Sequence, residues 1–168
     1  MRRIIIIGCG GAGKSTFARR LGERLDIPVH HLDREFWKPG WIPSDRDTFL
    51  ARLKELALEP AWIMDGNFGG TLDYRLSVAD TVIFLDYSTI TCLTGAVRRY
   101  WQWRGKSRPD MADGNSERLD RSYVMWILRY RTTSRPRLLA RLSKLPTGQR
   151  VYQLVSREHA DRFLREAV

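Results

Sequence analysis

The stretch Gly8–Thr16, GCGGAGKST, decides the fold, and it directly follows the apolar run IIII at positions 4–7. Four glycines precede Lys14 within it, although glycine loses more conformational freedom on folding than any other residue. Glycines crowded in this way indicate a local geometric need, namely a backbone that bends sharply and lies close to a ligand. Because a helix is expected to begin beside Lys14, the ligand that this loop favours is a phosphate.

Gly8, Gly13, Lys14 and Ser15 match the pattern GxxxxGK(S/T), the P-loop, which requires a strand before it and a helix after it. The β-branched run before Gly8 predicts a buried parallel strand, and STFARRLGERL predicts an amphipathic helix. In this setting backbone N–H groups surround the phosphates, Lys14 reaches the β- and γ-phosphates, and the Ser15 hydroxyl ligates Mg²⁺. We therefore predict ATP, or another nucleoside triphosphate, with Mg²⁺. The predicted phosphate-binding residues are Gly8, Gly10, Gly11, Ala12, Gly13, Lys14, Ser15 and Thr16.

Strand-like and helix-like segments alternate along the rest of the chain. Further strands are predicted for VHHLD (29–33), AWIMDG (61–66), TVIFLD (81–86) and RVYQLV (150–155). Helices are predicted after an N-cap at Ser44, over Thr89–Trp103, over Ser116–Tyr130, around Leu138–Leu142 and from Ser156, and WKPGWIP (37–43) predicts a turn. This order predicts an α/β fold, a P-loop NTPase three-layer sandwich with about five parallel strands and helices on both faces. We expect a single domain over residues 1–168, with a basic lid-like insertion at about 101–135.

Aspartates follow three of the predicted strands. Ligands of open α/β sheets bind at the carboxyl ends of the strands, and Mg²⁺ commonly takes a carboxylate from such a position. Asp65 and Asp86 both qualify, and their spacing alone does not choose between them. Asp33 is expected to face the same crevice. His30 and His31 adjoin it, but without a third nearby ligand they are expected to pack rather than to bind zinc.

The net charge of +10 is concentrated in one segment. Residues 98–150 hold 14 of the 29 Lys and Arg residues but only 4 of the 19 Asp and Glu residues. Such a block suits either an anionic small molecule or nucleic acid. The aromatic stripe of the helix predicted over 116–130 is interpreted as core packing. The rival hypothesis is a nucleotide-regulated nucleic-acid-binding protein that uses this block, although no recognised nucleic-acid-binding motif is present.

The remaining composition favours a protein of the reducing cytoplasm. Cys9 and Cys92 are the only cysteines, and they form no spaced cluster. No apolar stretch approaches the roughly 20 residues that a membrane-spanning helix needs, so no membrane partner is expected. The oligomeric state is left open by the sequence.

Several motifs in their order carry a family resemblance. GCGGAGKST, HHLD, WIMDG, VIFLD and the Arg98–Arg99 pair resemble adenylate kinase and the related nucleoside and nucleotide kinases. More narrowly, HLDREFWKPGW, DGNFGGTLDYRL, TVIFLD and RPDMADGNSER resemble a small bacterial family of adenylate-kinase-like proteins, the DNA topology modulation or FlaR-like proteins. The resemblance spans nearly the whole chain. It implies a kinase that moves the γ-phosphoryl group of ATP to a small acceptor, such as a nucleoside or a nucleoside monophosphate.

The resemblance also implies roles for individual residues. Asp33 would face the acceptor, Asp65 would belong to the metal and acceptor region, and Arg75 would clamp an acceptor phosphate. Adenylate kinases follow the same Asp-Gly pair with proline and arginine, whereas this chain has DGNFGG, which puts an AMP acceptor in doubt. The implied catalytic residues are Lys14, Asp33, Asp65, Arg98 and Arg118, the implied metal ligands are Ser15 and Asp65, and Arg104, Arg108, Arg118 and Arg121 are lid candidates.

Overall fold

A computed structural model describes residues 1–167, and its centre is a five-stranded parallel sheet. The strands are β1 (Arg3–Gly8), β2 (Val29–His31), β3 (Trp37–Lys38), β4 (Ile42–Pro43), β5 (Trp62–Asp65), β6 (Thr81–Leu85) and β7 (Arg150–Leu154). The central sheet has the order β2-β5-β1-β6-β7, with every neighbouring pair parallel. Strands β3 and β4 form a separate antiparallel hairpin.

Helices cover both faces of the central sheet. They are α1 (Lys14–Leu25), α2 (Leu32–Phe36), α3 (Arg46–Leu56), α4 (Leu72–Val78), α5 (Thr89–Trp103), α6 (Arg121–Leu142) and α7 (Arg157–Glu166). One core cluster joins β1 to α1, α5 and α7, and a second joins the opposite face of β1 to α3 and α4. The predicted three-layer α/β sandwich, with five parallel strands and helices on both faces, is confirmed. Within the described residues, no helix is both long and apolar enough to cross a membrane.

Strand β1 lies in the middle of the sheet and anchors both cores. Ile4 and Ile6 belong to one core cluster, whereas Ile5 and Ile7 belong to the other, as alternating side chains of a strand require. All four are almost completely buried, which stabilises the fold by about 1.5–3 kcal/mol for each side chain. The carboxyl end of β1 therefore delivers Gly8 to a fixed point between β5 and β6.

Three local predictions around the second strand need correction. The strand ends at His31 rather than Asp33, because the chain enters α2 at once, so Asp33 lies in the first turn of a short helix. The stretch predicted as a turn does turn at residues 39–41, but two short strands that were not predicted, β3 and β4, flank the turn and make it a hairpin. Helix α3 begins after Asp45 rather than Ser44, because the Asp45 carboxylate accepts hydrogen bonds from the backbone N–H groups of Asp47 and Thr48.

The region after α5 also differs from the prediction. The two helices predicted over 116–130 and 138–142 are one helix, α6, which begins after its N-cap Asp120. Pro136 lies inside it, where proline removes a backbone hydrogen bond. The burial of Ile127 and Leu138 on either side favours a continuous helix in spite of that loss. Residues 104–120, which we call the lid segment, contain no helix and have one antiparallel bridge, between Ser107 and Ser116.

Candidate functional site

The loop between β1 and α1 is curved, and Lys14 folds back over it. Gly11 and Gly13 have φ angles of 76° and 87°, a left-handed conformation that glycine adopts at little cost. The Lys14 Nζ donates hydrogen bonds to the backbone oxygens of Gly8 and Cys9 at 3.0 and 3.1 Å. The helix N-terminus, the loop amides and the lysine ammonium thus converge on one concave surface that suits an anion.

Two of the loop glycines are also required by close packing. A Cβ atom added to Gly10 would lie 2.2 Å from the Tyr123 hydroxyl oxygen, and one added to Gly11 would lie 2.0 Å from the Cys92 carbonyl oxygen. From the other side, a Cβ atom added to Gly95 would lie 2.1 Å from the Gly11 oxygen. The loop therefore rests directly on the backbone of α5, which fixes its position without any side chain between them.

Asn67 binds the backbone at the start of this loop, a role that was not predicted from the sequence. Its Nδ2 donates to the Gly8 oxygen at 2.8 Å, while its Oδ1 accepts from the Gly8 N–H at 3.0 Å. Asn67 follows β5, the neighbour of β1, and belongs to the DGN motif that carried the family resemblance. That motif was the available indication of a role in the site.

The loop opens into a cleft of about 810 Å³. This volume lies within the range of small-molecule sites, which is roughly 300–1,000 Å³. The loop forms one wall, α5 and the start of α6 form a second, and the segment after β5 and part of the lid segment complete it. Predicted site residues that line the cleft are Gly10, Gly11, Ala12, Gly13, Lys14, Ser15, Thr16, Asp33, Asp65 and Arg98.

Asp65 lines the cleft and has one carboxylate oxygen without a partner among residues 1–167. The residue is only 4% exposed, and its Oδ2 lies 2.9 Å from Nδ1 of His31. Its buried Oδ1 has no hydrogen-bond partner among residues 1–167. A buried oxygen without a partner is costly unless a ligand satisfies it. Asp65 together with the Ser15 hydroxyl therefore fits a Mg²⁺ ion that takes its other ligands from phosphates and water.

Two other carboxylates stand near Asp65. Burial raises the pKa of Asp33 above its usual range, and the charge of Asp65 raises it further. Burial also opposes ionisation of Asp110, but the charge of Arg108 and a hydrogen bond with Ser15 outweigh it and keep the pKa of Asp110 low. Asp110 lines the cleft and was not among the sequence candidates. No group of three His, Cys, Asp or Glu side chains in residues 1–167 forms a self-sufficient metal site.

Asp86, the alternative metal carboxylate, is engaged by two other side chains. Arg135 donates to both of its oxygens, from Nε to Oδ1 at 2.8 Å and from Nη2 to Oδ2 at 2.7 Å, and Gln153 donates to Oδ2 at 2.6 Å. Burial would raise the pKa of Asp86, but these hydrogen bonds and the positive charge of Arg135 lower it. Of the two carboxylates that the sequence left open, Asp65 is the one that lines the cleft.

Arg75 does not reach the cleft, in contrast to its expected contact with an acceptor phosphate. It is fully buried, and its guanidinium donates to the carbonyl oxygens of Gly66, Asn67 and Phe68. Burial lowers the pKa of Arg75 to about 9. Arg75 therefore stabilises the turn after β5, because its guanidinium donates to backbone oxygens of that turn rather than facing solvent.

Arg98 and Arg99 point to different surroundings although they are adjacent on α5. Arg98 is exposed and lines the cleft. Arg99 donates from Nε to Glu117 at 2.8 Å and from Nη2 to the Tyr123 hydroxyl at 3.1 Å. Glu117 is buried, and it also forms an ion pair with Arg108 at 2.8 Å. The Glu117 carboxylate therefore pairs with both Arg99 and Arg108, which line the cleft.

The lid segment is docked on the β3–β4 hairpin. The buried Asn115 accepts from the backbone N–H of Trp41 at 2.7 Å and donates to the Lys38 oxygen at 3.1 Å. Arg118 lies over the Trp41 ring, with 5.2 Å between its Cζ and the ring centroid, a favourable cation–π geometry. Arg118 does not line the cleft; its contact is with the hairpin.

The aromatic stripe of α6 is divided between core and site. Ile127 and Tyr130 are buried in the core, as expected. Tyr123 and Trp126 are only partly buried and line the cleft beside the phosphate loop, with their rings stacked at 5.8 Å between centroids. These two side chains were assigned to the core because helical spacing identifies a buried stripe without showing which of its members face a cavity.

Comparison with known proteins identifies relatives of this fold. A scan with protein-family models finds no match to this chain, and a search of curated proteins finds none. Among solved structures, shikimate kinase from Acinetobacter baumannii in complex with shikimate matches with a TM-score of 0.62 and 19% identity, covering 99% of this chain and 90% of that one. Shikimate kinase from Bacteroides thetaiotaomicron matches with a TM-score of 0.53 and 17% identity, covering 99% and 96%. At these identities the likeness establishes the shared fold.

Proposed function

We propose that the protein is an ATP-dependent phosphotransferase that moves the γ-phosphoryl group to a hydroxyl of a small acceptor. The observation that carries the proposal is that the curved glycine loop, Lys14, Asp33 and Asp65 line one cleft. The loop suits a triphosphate, and the carboxylates suit a metal ion and a hydroxyl group. Support also comes from the fold, which the chain shares with shikimate kinases.

In this proposal the donor occupies the loop side of the cleft. The loop amides bind the β- and γ-phosphates, and Lys14 moves from the Gly8 and Cys9 oxygens to the phosphates. Ser15 and Asp65 would hold Mg²⁺, which would neutralise phosphate charge. Phosphoryl transfer asks little covalent chemistry of the protein, so alignment and charge neutralisation supply most of the rate.

The acceptor occupies the side of the cleft near Asp33. The Asp33 carboxylate makes no side-chain hydrogen bond within residues 1–167, and its raised pKa suits a general base. It would take the proton from the acceptor hydroxyl as that oxygen attacks the γ-phosphorus. The docked lid segment would exclude water from this step and so suppress hydrolysis of ATP.

Replacement of Lys14 tests the proposal. We expect Lys14→Ala to lower acceptor-dependent ADP release by at least about 100-fold, because the lysine neutralises charge that develops on the transferred group. The control is Lys54→Ala, since Lys54 is exposed on α3. Unchanged turnover in Lys14→Ala, or calorimetry that detects no binding of ATP or GTP to the parent protein, would overturn the proposal.

The nucleic-acid hypothesis remains the alternative proposal, with the topology modulation role that the family resemblance implied. Part of the basic segment is engaged within the protein itself. Arg135 contacts Asp86, and Arg141 contacts Asp73 and the Gly69 oxygen. These contacts reduce the charge available to a nucleic acid, which favours the phosphotransferase.

A further inference from the structure

The cleft carries charges of both signs. Lys14 and Arg98 line the cleft and form no ion pair with any side chain in residues 1–167. The three carboxylates of Asp33, Asp65 and Asp110 line the same cleft. In the proposed function Lys14 binds the donor phosphates and Asp33 faces the acceptor, so the acceptor shares the cleft with three carboxylates.

Arg108, the arginine of the lid segment that lines the cleft, is already paired. Arg108 forms ion pairs with Glu117 at 2.8 Å and with Asp110 at 3.2 Å, and its side chain is only 9% exposed. Arg99 is held by the same Glu117. Arg75, expected to bind an acceptor phosphate, is buried against backbone oxygens. Among the described residues, no arginine that was expected to bind the acceptor or to belong to the lid is therefore both in the cleft and unpaired.

An anionic acceptor would meet unfavourable electrostatics there. Asp33, Asp65 and Asp110 line the cleft together, and the Oδ1 of Asp65 has no hydrogen-bond partner among residues 1–167. A phosphate or carboxylate placed beside them would add a further negative charge in a partly desolvated site, where repulsion is stronger than in water. Two anions share such a site only when a cation compensates, and Mg²⁺ at Asp65 would be shared with the donor phosphates.

Part of the cleft wall is aromatic. Trp37 and Phe68 line the cleft, and Phe36 packs between them with centroid distances of 4.9 and 5.0 Å. The ring centroids of Phe49 and Phe68 are 5.0 Å apart, so the rings support one another. A wall of this kind favours a flat or apolar face of the ligand.

From this juxtaposition of paired arginines, carboxylates and aromatic rings, we infer that the acceptor is a hydroxyl compound that carries a planar ring and no anionic group, as a nucleoside does. The inference rests on the proposed function. The acceptor hydroxyl oxygen forms a bond to the γ-phosphorus as the bond from that phosphorus to the β,γ-bridging oxygen breaks, and ADP leaves with the bonding pair. The hydroxyl proton passes to Asp33 and then to solvent.

Matched acceptors test the inference. The purified protein is assayed with ATP, Mg²⁺ and each of the four ribonucleosides, each nucleoside 5′-monophosphate, and shikimate as a carboxylated alcohol. ADP release is followed by a coupled assay, products by mass spectrometry, and acceptor binding by calorimetry with a non-hydrolysable ATP analogue. We expect a nucleoside to raise ADP release at least tenfold over the acceptor-free rate, with its monophosphate at least tenfold poorer in kcat/KM.

The outcomes separate the two claims. Preference for a monophosphate or for shikimate overturns the inference but leaves the proposed phosphotransferase intact. Binding of ATP without binding or phosphorylation of any nucleoside likewise overturns the inference alone. Failure of the protein to bind any nucleoside triphosphate overturns the proposed function and the inference with it.

A change at Glu117 tests the electrostatic reason directly. Glu117→Gln removes the charge that occupies Arg108 and Arg99, so we expect the kcat/KM ratio of monophosphate to nucleoside to rise at least tenfold. The control is Asp113→Asn, which removes an exposed acid of the same segment. Asp110→Asn, which removes the second ion-pair partner of Arg108 and one carboxylate of the cleft, replaces Glu117→Gln if thermal unfolding shows that the latter is not folded. An unchanged ratio in the folded variant counts against the inference.

Discussion

Asn67 binds both backbone groups of Gly8, donating from Nδ2 at 2.8 Å and accepting at Oδ1 at 3.0 Å. The two residues are 59 positions apart in the chain. Their contact satisfies the donor and the acceptor of the residue at which β1 ends and the phosphate loop begins. The turn after β5 therefore determines where the loop starts.

Substitution of Asn67 tests this contact. We expect Asn67→Ala to lower the free energy of unfolding by about 1–3 kcal/mol, because it removes the side-chain acceptor of the Gly8 N–H and leaves the Gly8 oxygen with Lys14 as its side-chain donor. ATP affinity, measured by calorimetry, should fall by about tenfold as the loop loses its fixed start, which corresponds to about 1.4 kcal/mol. Ser77→Ala is the control, since Ser77 is exposed and donates only to the Tyr74 oxygen. Equal ATP affinity in the parent and in Asn67→Ala would contradict this role.

Gly95 should tolerate no side chain despite its helical position. Glycine to alanine in a helix interior ordinarily stabilises by about 1 kcal/mol. A Cβ atom at Gly95 would instead meet the Gly11 oxygen at 2.1 Å, so we expect a loss of about 1–3 kcal/mol in chemical denaturation, as for other overpacked sites. Gly70→Ala provides the comparison, because a Cβ atom there has no heavy atom within 4 Å. A Gly95→Ala protein as stable as Gly70→Ala would show that α5 and the loop separate easily.

Asp33 should set the acid limb of the pH–rate profile. A general base acts only when deprotonated, so activity should fall as the pH falls through the pKa of Asp33. Since burial and Asp65 raise that pKa, the limb should lie above the usual value of about 4. Asp33→Asn should remove the limb and lower kcat by at least about 100-fold, while Asp47→Asn, on the exposed side of α3, should change neither. A limb that persists at the same pH in Asp33→Asn would assign it to another group.

The ion pair of Asp86 and Arg135 should contribute to stability rather than to catalysis. Arg135→Met leaves a buried carboxylate short of its main partner, and we expect a loss of about 3 kcal/mol near neutral pH. The pKa of Asp86 is lowered in the folded state, so its contribution is present above the unfolded pKa and is lost as the pH falls through the folded one. The destabilisation by Arg135→Met should therefore shrink in acid, which urea titrations across pH would detect. A loss that is independent of pH would contradict this account.

Duplex DNA binding distinguishes the nucleic-acid hypothesis. That hypothesis requires an affinity that falls steeply between about 50 and 200 mM salt and weakens on reversal of Arg137, an exposed charge on α6. We expect no saturable binding of a labelled duplex even at the lower salt, because neighbouring arginines contact the protein's own carboxylates. Saturable binding that Arg137→Glu weakens and Lys14→Ala leaves unchanged would favour the alternative.

The local parts of this molecule could be predicted from its sequence, and the pairings between distant segments could not. Strand β1, the loop and the start of α1 are continuous in the chain, so glycine spacing and apolar runs were sufficient to predict them. Contacts such as Arg99 with Glu117 and Asp86 with Arg135 depend on which charges the fold brings together. Helix α6 could not be predicted as one helix for a similar reason. The burial of Ile127 before Pro136 and of Leu138 after it outweighs the local preference of proline for a break.

The two hydrogen bonds of Asn115 to the β3–β4 hairpin bear on the turnover rate. Since the Asn115 side chain bonds to the backbone at both Lys38 and Trp41, the lid segment and the β3–β4 hairpin are joined at two points, and we expect them to move as one unit. Release of a product between them would then require several polar contacts to break together. We expect this joint movement, rather than the chemical step, to limit the number of turnovers per second.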